Sequence, residues 1–270
     1  MDVHPATAPQ VSPFGKALTT PYETIVLPPF VPIEESTLDP REKSSKRIGD
    51  IRNLVEPLTL DTQCASAGQW QALAGGAWLW RVALVSTGAT GLRVHVAEAA
   101  IAPDAQLCVY NPVRAAEAFR LGDGQSEAWL PTIFNDEAML EVWCPNEASK
   151  RATRVVVDKL IHVYAPASTF QGFNAGLCNL DVTCYPDWAE TALGICGLGV
   201  VTQTGALFCT GTLIADTDDC STTPYVLTAH HCVGGPGGTR GANSLEFYWF
   251  YQTPTCNGTA PSLYAVPRTT

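Results

Sequence analysis

The sequence predicts an all-β chain: an antiparallel β-sandwich-like domain followed by a smaller, glycine-rich β domain. Three observations predict it. Between residues 61 and 168, roughly seven or eight short apolar runs alternate in character and are separated by turn residues, the pattern of a sandwich. Beyond residue 173, the runs 193–202, 206–215, 225–229 and 245–251 keep strand character but are rich in glycine. Ten cysteines with no CxxC spacing point to a disulfide framework in an oxidising compartment.

The bulk properties agree. A chain of 270 residues is long enough for about two domains. Charged residues are 16% and hydrophobic ones 46%, which is globular material. The net charge of −10 argues against a nucleic-acid partner and against an anionic membrane surface. No apolar run reaches transmembrane length. Met1-Asp2-Val3-His4-Pro5 has neither a basic n-region nor an apolar h-region. An export signal is therefore expected upstream of the given start, or the chain is a piece of a longer protein.

Residues 1–60 read as a leader. They hold nine of the twenty prolines, and 34–52 is crowded with charge. Pro28-Pro29-Phe30-Val31-Pro32 is extended or polyproline-like. The rest of this stretch is expected to be largely irregular, a linker or a segment wrapping a later domain, with a short helix over 44–54.

From residue 61 the texture changes. The runs 78–84 and 92–96 alternate, with Gly75-Gly76 and Gly88-Ala89-Thr90-Gly91 as turn punctuation. Further strands are predicted at 106–110, 128–134, 139–144 and 154–164. Trp70, Trp78, Trp80, Trp129 and Trp143 sit inside these runs, so core packing outweighs a sugar-binding platform. His95 and His162 lie in strands without a ligand set and read as structural. Gly122-Asp123-Gly124-Gln125-Ser126 has the wrong order for a nucleophile loop. A junction is expected in the small, polar stretch 165–176.

The second domain is organised around Tyr225-Val226-Leu227-Thr228-Ala229-His230-His231-Cys232, an apolar run that stops at two histidines and a cysteine. Adjacent residues on an extended chain point to opposite faces, so His230 and His231 cannot readily chelate one ion. No second cluster completes four ligands, and no metal or other cofactor is expected.

Cys209-Thr210-Gly211-Thr212-Leu213 together with Leu227-Thr228-Ala229-His230-His231-Cys232 resembles the trypsin-like serine proteases, and more narrowly the secreted bacterial lysyl-endopeptidase-like group. Cys178-Asn179-Leu180-Asp181-Val182-Thr183-Cys184 is similar to that group's paired-cysteine segment. Phe247-Tyr248-Trp249-Phe250-Tyr251-Gln252, with Cys256 following, is similar as well. The resemblance covers residues 173–270, with 61–168 a looser match to the β-rich pro-region ahead of such domains. It implies that 173–270 is the incomplete first β-barrel of a chymotrypsin-like double barrel, with protein or peptide as substrate and the pro-domain packed on its own catalytic domain. It implies that His231 is the general base, fixed at the end of a buried strand while His230 faces elsewhere. It pairs Cys184 with Cys256 and Cys209 with Cys232, the latter loop of about 24 residues being worth roughly 3 kcal/mol. It leaves Cys178 to pair with a cysteine beyond this chain. Cys196 and Cys220 depart from the pattern and are expected to bridge each other. Cys64, Cys108 and Cys144 form an odd set, so at least one is free or pairs outside it.

A serine protease also needs a carboxylate to orient the histidine and a serine beside an oxyanion hole. After Cys232 there is no aspartate, Glu246 is the one acid, and no Gly-Asp-Ser-Gly occurs. The 270 residues are therefore expected to be inactive alone, a truncated precursor whose half-built barrel leaves strand edges unpaired. The alternative is a non-catalytic secreted β-protein in which a protease-like half survives as an interaction module. No lysine follows Lys159, and Arg240 and Arg268 are the only basic residues after 172. That pattern suits protection of a basic-specific protease from self-cleavage, and acidic composition explains it equally well. Processing is expected near 172–174, where no basic residue precedes the bond.

Overall fold

A computed structural model describes residues 2–4, 10–11, 17–18, 22–34, 47–61, 65–121, 124–165, 180–217, 220, 223–234 and 241–270. It divides into two compact units, Met1–Pro32 with Ile51–Tyr164, and Ile33–Asp50 with Ala165–Thr270. Cys64, Cys178, the Gly122-Asp123 pair and the expected processing stretch 172–174 lie outside the described residues.

The first unit is a β-sandwich. Its strands are β1 (Asp2–His4), β2 (Gln10–Val11), β3 (Ala17–Leu18), β4 (Tyr22–Val26) and β5 (Arg47–Leu60, of which 51–60 belong here). They continue with β6 (Gln71–Ala72), β7 (Trp78–Val85), β8 (Gly91–Ala100), β9 (Gln106–Asn111), β10 (Arg114–Arg120), β11 (Ala128–Trp129), β12 (Glu137–Cys144) and β13 (Arg154–Val163). Helix α1 (Glu147–Ala152) connects the last two and is capped by Asn146, whose side chain accepts from the Ser149 N–H. One sheet runs β1-β4-β7-β12-β9-β10, and the other includes β11-β8-β13-β5. Alternate residues of both sheets meet in one core. Trp80, Val82 and Leu84 of β7 join Leu140 and Val142 of β12, Leu92, Val94 and Val96 of β8, and Leu58 and Leu60 of β5.

The predicted leader is corrected here. Residues 23–26 pair with β7, in parallel, and 47–60 form a long strand where a helix was expected over 44–54. Charge density hid the strand: Arg52 donates to Ser86 Oγ at 2.6 Å and to the Pro28 carbonyl, contacts that only the fold supplies. Ser86 Oγ in turn lies 2.7 Å from His162 Nδ1, and Phe30 stacks on that imidazole at 3.8 Å. His95 is also satisfied. A bulge between β13 and β8 turns Asp158 toward it, and His95 Nδ1 meets Asp158 Oδ1 at 2.6 Å. Trp80 is buried in the core and its indole N–H donates to Ala67 O, as expected for a packing role.

The second unit holds α2 (Ala189–Ala192), β14 (Ile195–Val201), β15 (Gly205–Ile214), β16 (Tyr225–Thr228), α3 (His230–Val233), β17 (Glu246–Trp249) and β18 (Arg268–Thr269). Its curled antiparallel sheet runs β5-β15-β14-β17-β18, residues 47–50 of β5 belonging here, with β16 on the remaining length of β15. This is a half-barrel. Its inner face carries Cys196, Leu198 and Val200, packed by Cys209, Val226, Phe247 and Trp249. On the outer face Gly197 is required: a Cβ there would come within 2.6 Å of the Phe208 ring, which lies across it and meets Tyr248 at 5.8 Å. The glycine-rich strand thus makes room for aromatic rings rather than for turns.

Candidate functional site

The base predicted at His231 is positioned by two strands and a bridge. Strand β16 pairs with β15 from Gly211↔Thr228 to Ile214↔Tyr225, and Thr228 Oγ1 donates to the Thr210 carbonyl at 2.8 Å. The chain then leaves the sheet and turns into α3, so His230 and His231 stand on a helical turn, not on extended chain. The turn still separates them. The His230 ring lies over Gly234, where a Cβ would come within 2.4 Å of Nε2. The exposed His231 has a ring nitrogen within 4.8 Å of both sulfurs of Cys209 and Cys232.

Those two cysteines form a disulfide, with Cα atoms 6.1 Å apart. Cys232 is 5% exposed, so the residue after His231 is covalently and sterically fixed while the imidazole faces solvent. Because the sulfurs are bonded to each other, the His231, Cys209, Cys232 group offers no thiolate for an ion. Strand β16 differs from the buried strand expected: Leu227 is 62% and Tyr225 49% exposed. The cause is position, since among the described residues β16 pairs with β15 alone.

The second predicted bridge, Cys184–Cys256, is also formed and spans 72 residues. The predicted Cys196–Cys220 bridge is not. Cys196 is a free thiol on the inner face of β14, 1% exposed, and its S–H points at the Gly211 carbonyl at 3.6 Å. Burial raises its pKa. Cys220 lies beyond the end of β15 on the surface, where an inward-facing residue of β14 does not reach it. Cys108 and Cys144 are both free and buried, on opposite faces of the first unit's sheet.

Glu246, the one acid after Cys232, is engaged elsewhere. It is fully buried at the start of β17, and its carboxylate accepts from Arg268 Nη1 of β18 at 3.3 Å. It is therefore a structural ion pair of the barrel wall. Sequence reasoning missed this pair and also missed Asp181, which ties the paired-cysteine segment down. Asp181 accepts from Thr183 N and Oγ1, from Thr253 Oγ1 at 2.6 Å and from Asn257 N at 2.8 Å. These bonds, the one from Thr253 first, hold its carboxyl at about 2. Its local signal was legible: an Asp two residues before Thr183, at the start of a 3-10 turn, is an Asx-turn pattern.

No helix among the described residues is long and apolar enough to cross a membrane. No solved structure matches the chain. Two family models do: one described as the lysyl endopeptidase N-terminal domain over residues 32–164, and one described as the lysyl endopeptidase C-terminal domain over residues 173–269. With the all-β half-barrel, its two disulfides and the histidine beside one of them, these matches show that the chain belongs to the lysyl endopeptidase family of secreted, trypsin-like serine proteases.

Proposed function

We propose that this chain is the precursor portion of a secreted serine endopeptidase and that His231 is its general base. The observation that carries this is the imidazole on the turn after β16, exposed to solvent and set against the Cys209–Cys232 bridge. In that position His231 takes the proton from a serine hydroxyl as it attacks the peptide carbonyl, then returns it to the leaving amine. The bridge and the buried Cys232 hold the base still while substrate moves past it. The family description points to peptide bonds that follow lysine, and the net charge of −10 suits attraction of cationic peptides. Residues 61–168 are its pro-domain in this reading.

Glu246 is paired with Arg268 and no Gly-Asp-Ser-Gly occurs in the sequence, so this reading assigns neither the orienting carboxylate nor the nucleophile to a residue after Cys232. The purified chain is therefore expected neither to hydrolyse a lysyl peptide nor to label with a fluorophosphonate. In a longer chain carrying the nucleophile, His231→Ala lowers kcat by about a millionfold while His230→Ala leaves most of it. Labelling of the 270-residue chain, or a dependence on His230 instead of His231, overturns the proposal.

A further inference from the structure

The border between the two matched family domains and the border between the two folded units do not coincide. The N-terminal family domain covers 32–164, yet the described residues 33–34 and 47–50 belong to the second unit. The reason is a strand. Arg47–Asp50 adds to the edge of β15, with Gly205 opposite Asp50, Ala206 opposite Gly49 and Leu207 opposite Arg47.

This pairing has the marks of a built site. Arg47 Nε donates to Asp50 Oδ1 at 2.7 Å, and its two terminal nitrogens donate to Thr204 Oγ1 and Thr204 O, each at 2.9 Å. The other Asp50 oxygen accepts from Ile33 N at 3.0 Å. Both side chains are removed from water, at 11% and 3% exposure. The backbones approach so closely that a Cβ on Gly205 would lie 2.1 Å from the Gly49 carbonyl oxygen. The slot therefore reads two things in the entering strand, an extended backbone and a guanidinium that caps the Thr202–Gly205 turn, and the lack of a side chain at Gly205 lets the two backbones cross.

We propose that the β15 edge at 204–207 is a strand-acceptor slot, that its ligand is this chain's own Arg47–Asp50, and that this strand keeps the N-terminal part bound after the chain is cut between its two family domains. Main-chain pairing supplies the affinity and the Arg47 clamp the specificity, as in other cases of strand addition. The edge left open in a half-barrel is thereby closed by a segment synthesised long before it.

The test does not depend on catalysis. A recognition sequence for a site-specific protease is inserted at Gly172 of the full chain, and the purified protein is cut and passed over a sizing column. The two fragments are expected to co-elute. Arg47→Ala and Gly205→Val are expected to separate them, with a dissociation constant raised on the order of a hundredfold. Excess synthetic peptide spanning Ser45–Arg52 is expected to displace the N-terminal fragment from the unmutated complex, and the same peptide with Arg47→Ala is not. The peptide arm keeps the test valid if either variant fails to fold. Separation of the unmutated fragments, co-elution of both well-folded variants, or equal displacement by the two peptides overturns the proposal.

Discussion

Replacing Arg268 with methionine tests how the barrel wall is held. The Arg268 side chain is 5% exposed and Glu246 is 0% exposed, and the two meet at 3.3 Å. Arg268→Met keeps an apolar stem of similar length but leaves a carboxylate in the interior with one cationic partner fewer. Breaking a buried pair in this way costs about 3–5 kcal/mol, because the remaining buried charge loses its ion-pair partner. Removing both charges, as Arg268→Met with Glu246→Leu, restores an apolar contact against Gly199 and is expected to fall within about 1 kcal/mol of the parent. The double variant is then expected to be about 2–4 kcal/mol more stable than Arg268→Met alone, the opposite of what independent sites show. Native-state hydrogen exchange at the Phe247–Trp249 amides reads this directly, since β17 pairs with β18 through Phe247↔Thr269 and Tyr248↔Arg268. Exchange in Arg268→Met is expected to accelerate by about two to four orders of magnitude, and in the double variant by less than about tenfold. Acceleration below tenfold in the single variant, or no recovery in the double one, would refute the view that this pair closes the wall.

Three further outcomes follow from the same geometry. Burial lifts the Cys108 thiol to about 12 and the Cys144 thiol to about 11. Both are expected to resist iodoacetamide at pH 8 until denaturant is added, and peptide mapping that finds either modified in the folded protein would count against their burial. Asp181→Asn removes a carboxylate whose pKa is held near 2, below its usual range of about 4. A depressed carboxylate stabilises above its unfolded value and loses that contribution as pH falls through the folded one, so the melting difference between variant and parent should be full at pH 7 and shrink toward pH 2. An unchanged difference at pH 2 would show that charge plays no part. By loop entropy, breaking Cys184–Cys256 costs about 4 kcal/mol and breaking Cys209–Cys232 about 3 kcal/mol, an order that urea unfolding of the paired Cys→Ser variants can check.

Much of the fold was legible because apolar patterning and turn residues are local signals. The strands at 78–85, 137–144 and 154–163 fall where alternation and punctuation put them. The Cys209–Cys232 and Cys184–Cys256 bridges were legible through the family motif. What sequence could not show depends on partners far along the chain. Arg47-Ile48-Gly49-Asp50-Ile51-Arg52 reads as a charged helix, since nothing nearby reveals that Arg47 meets Thr204 or that Arg52 meets Ser86. Cys196 and Cys220 looked pairable because both flank early strands, yet side-chain direction decided otherwise: Cys196 points into the half-barrel and Cys220 is on the surface. The role of Glu246 depended on an arginine 22 residues away that no motif marks.

The pairing of β5 with β15 also bears on time. Arg47 and Thr204 are 157 residues apart in sequence, so this edge closes only after most of the chain exists and has been searched for the right register. Loop-closure entropy is spent before such a contact returns anything, and pairings of this range slow folding. The neighbouring hairpin of β14 and β15 needs only the short turn between Val201 and Gly205 and forms on a local clock. The second unit thus carries a fast and a slow pairing on the two sides of one strand. Refolding followed at the amides of 205–207 should lag behind the rest of that hairpin, with the late arrival of residues 47–50 setting the pace.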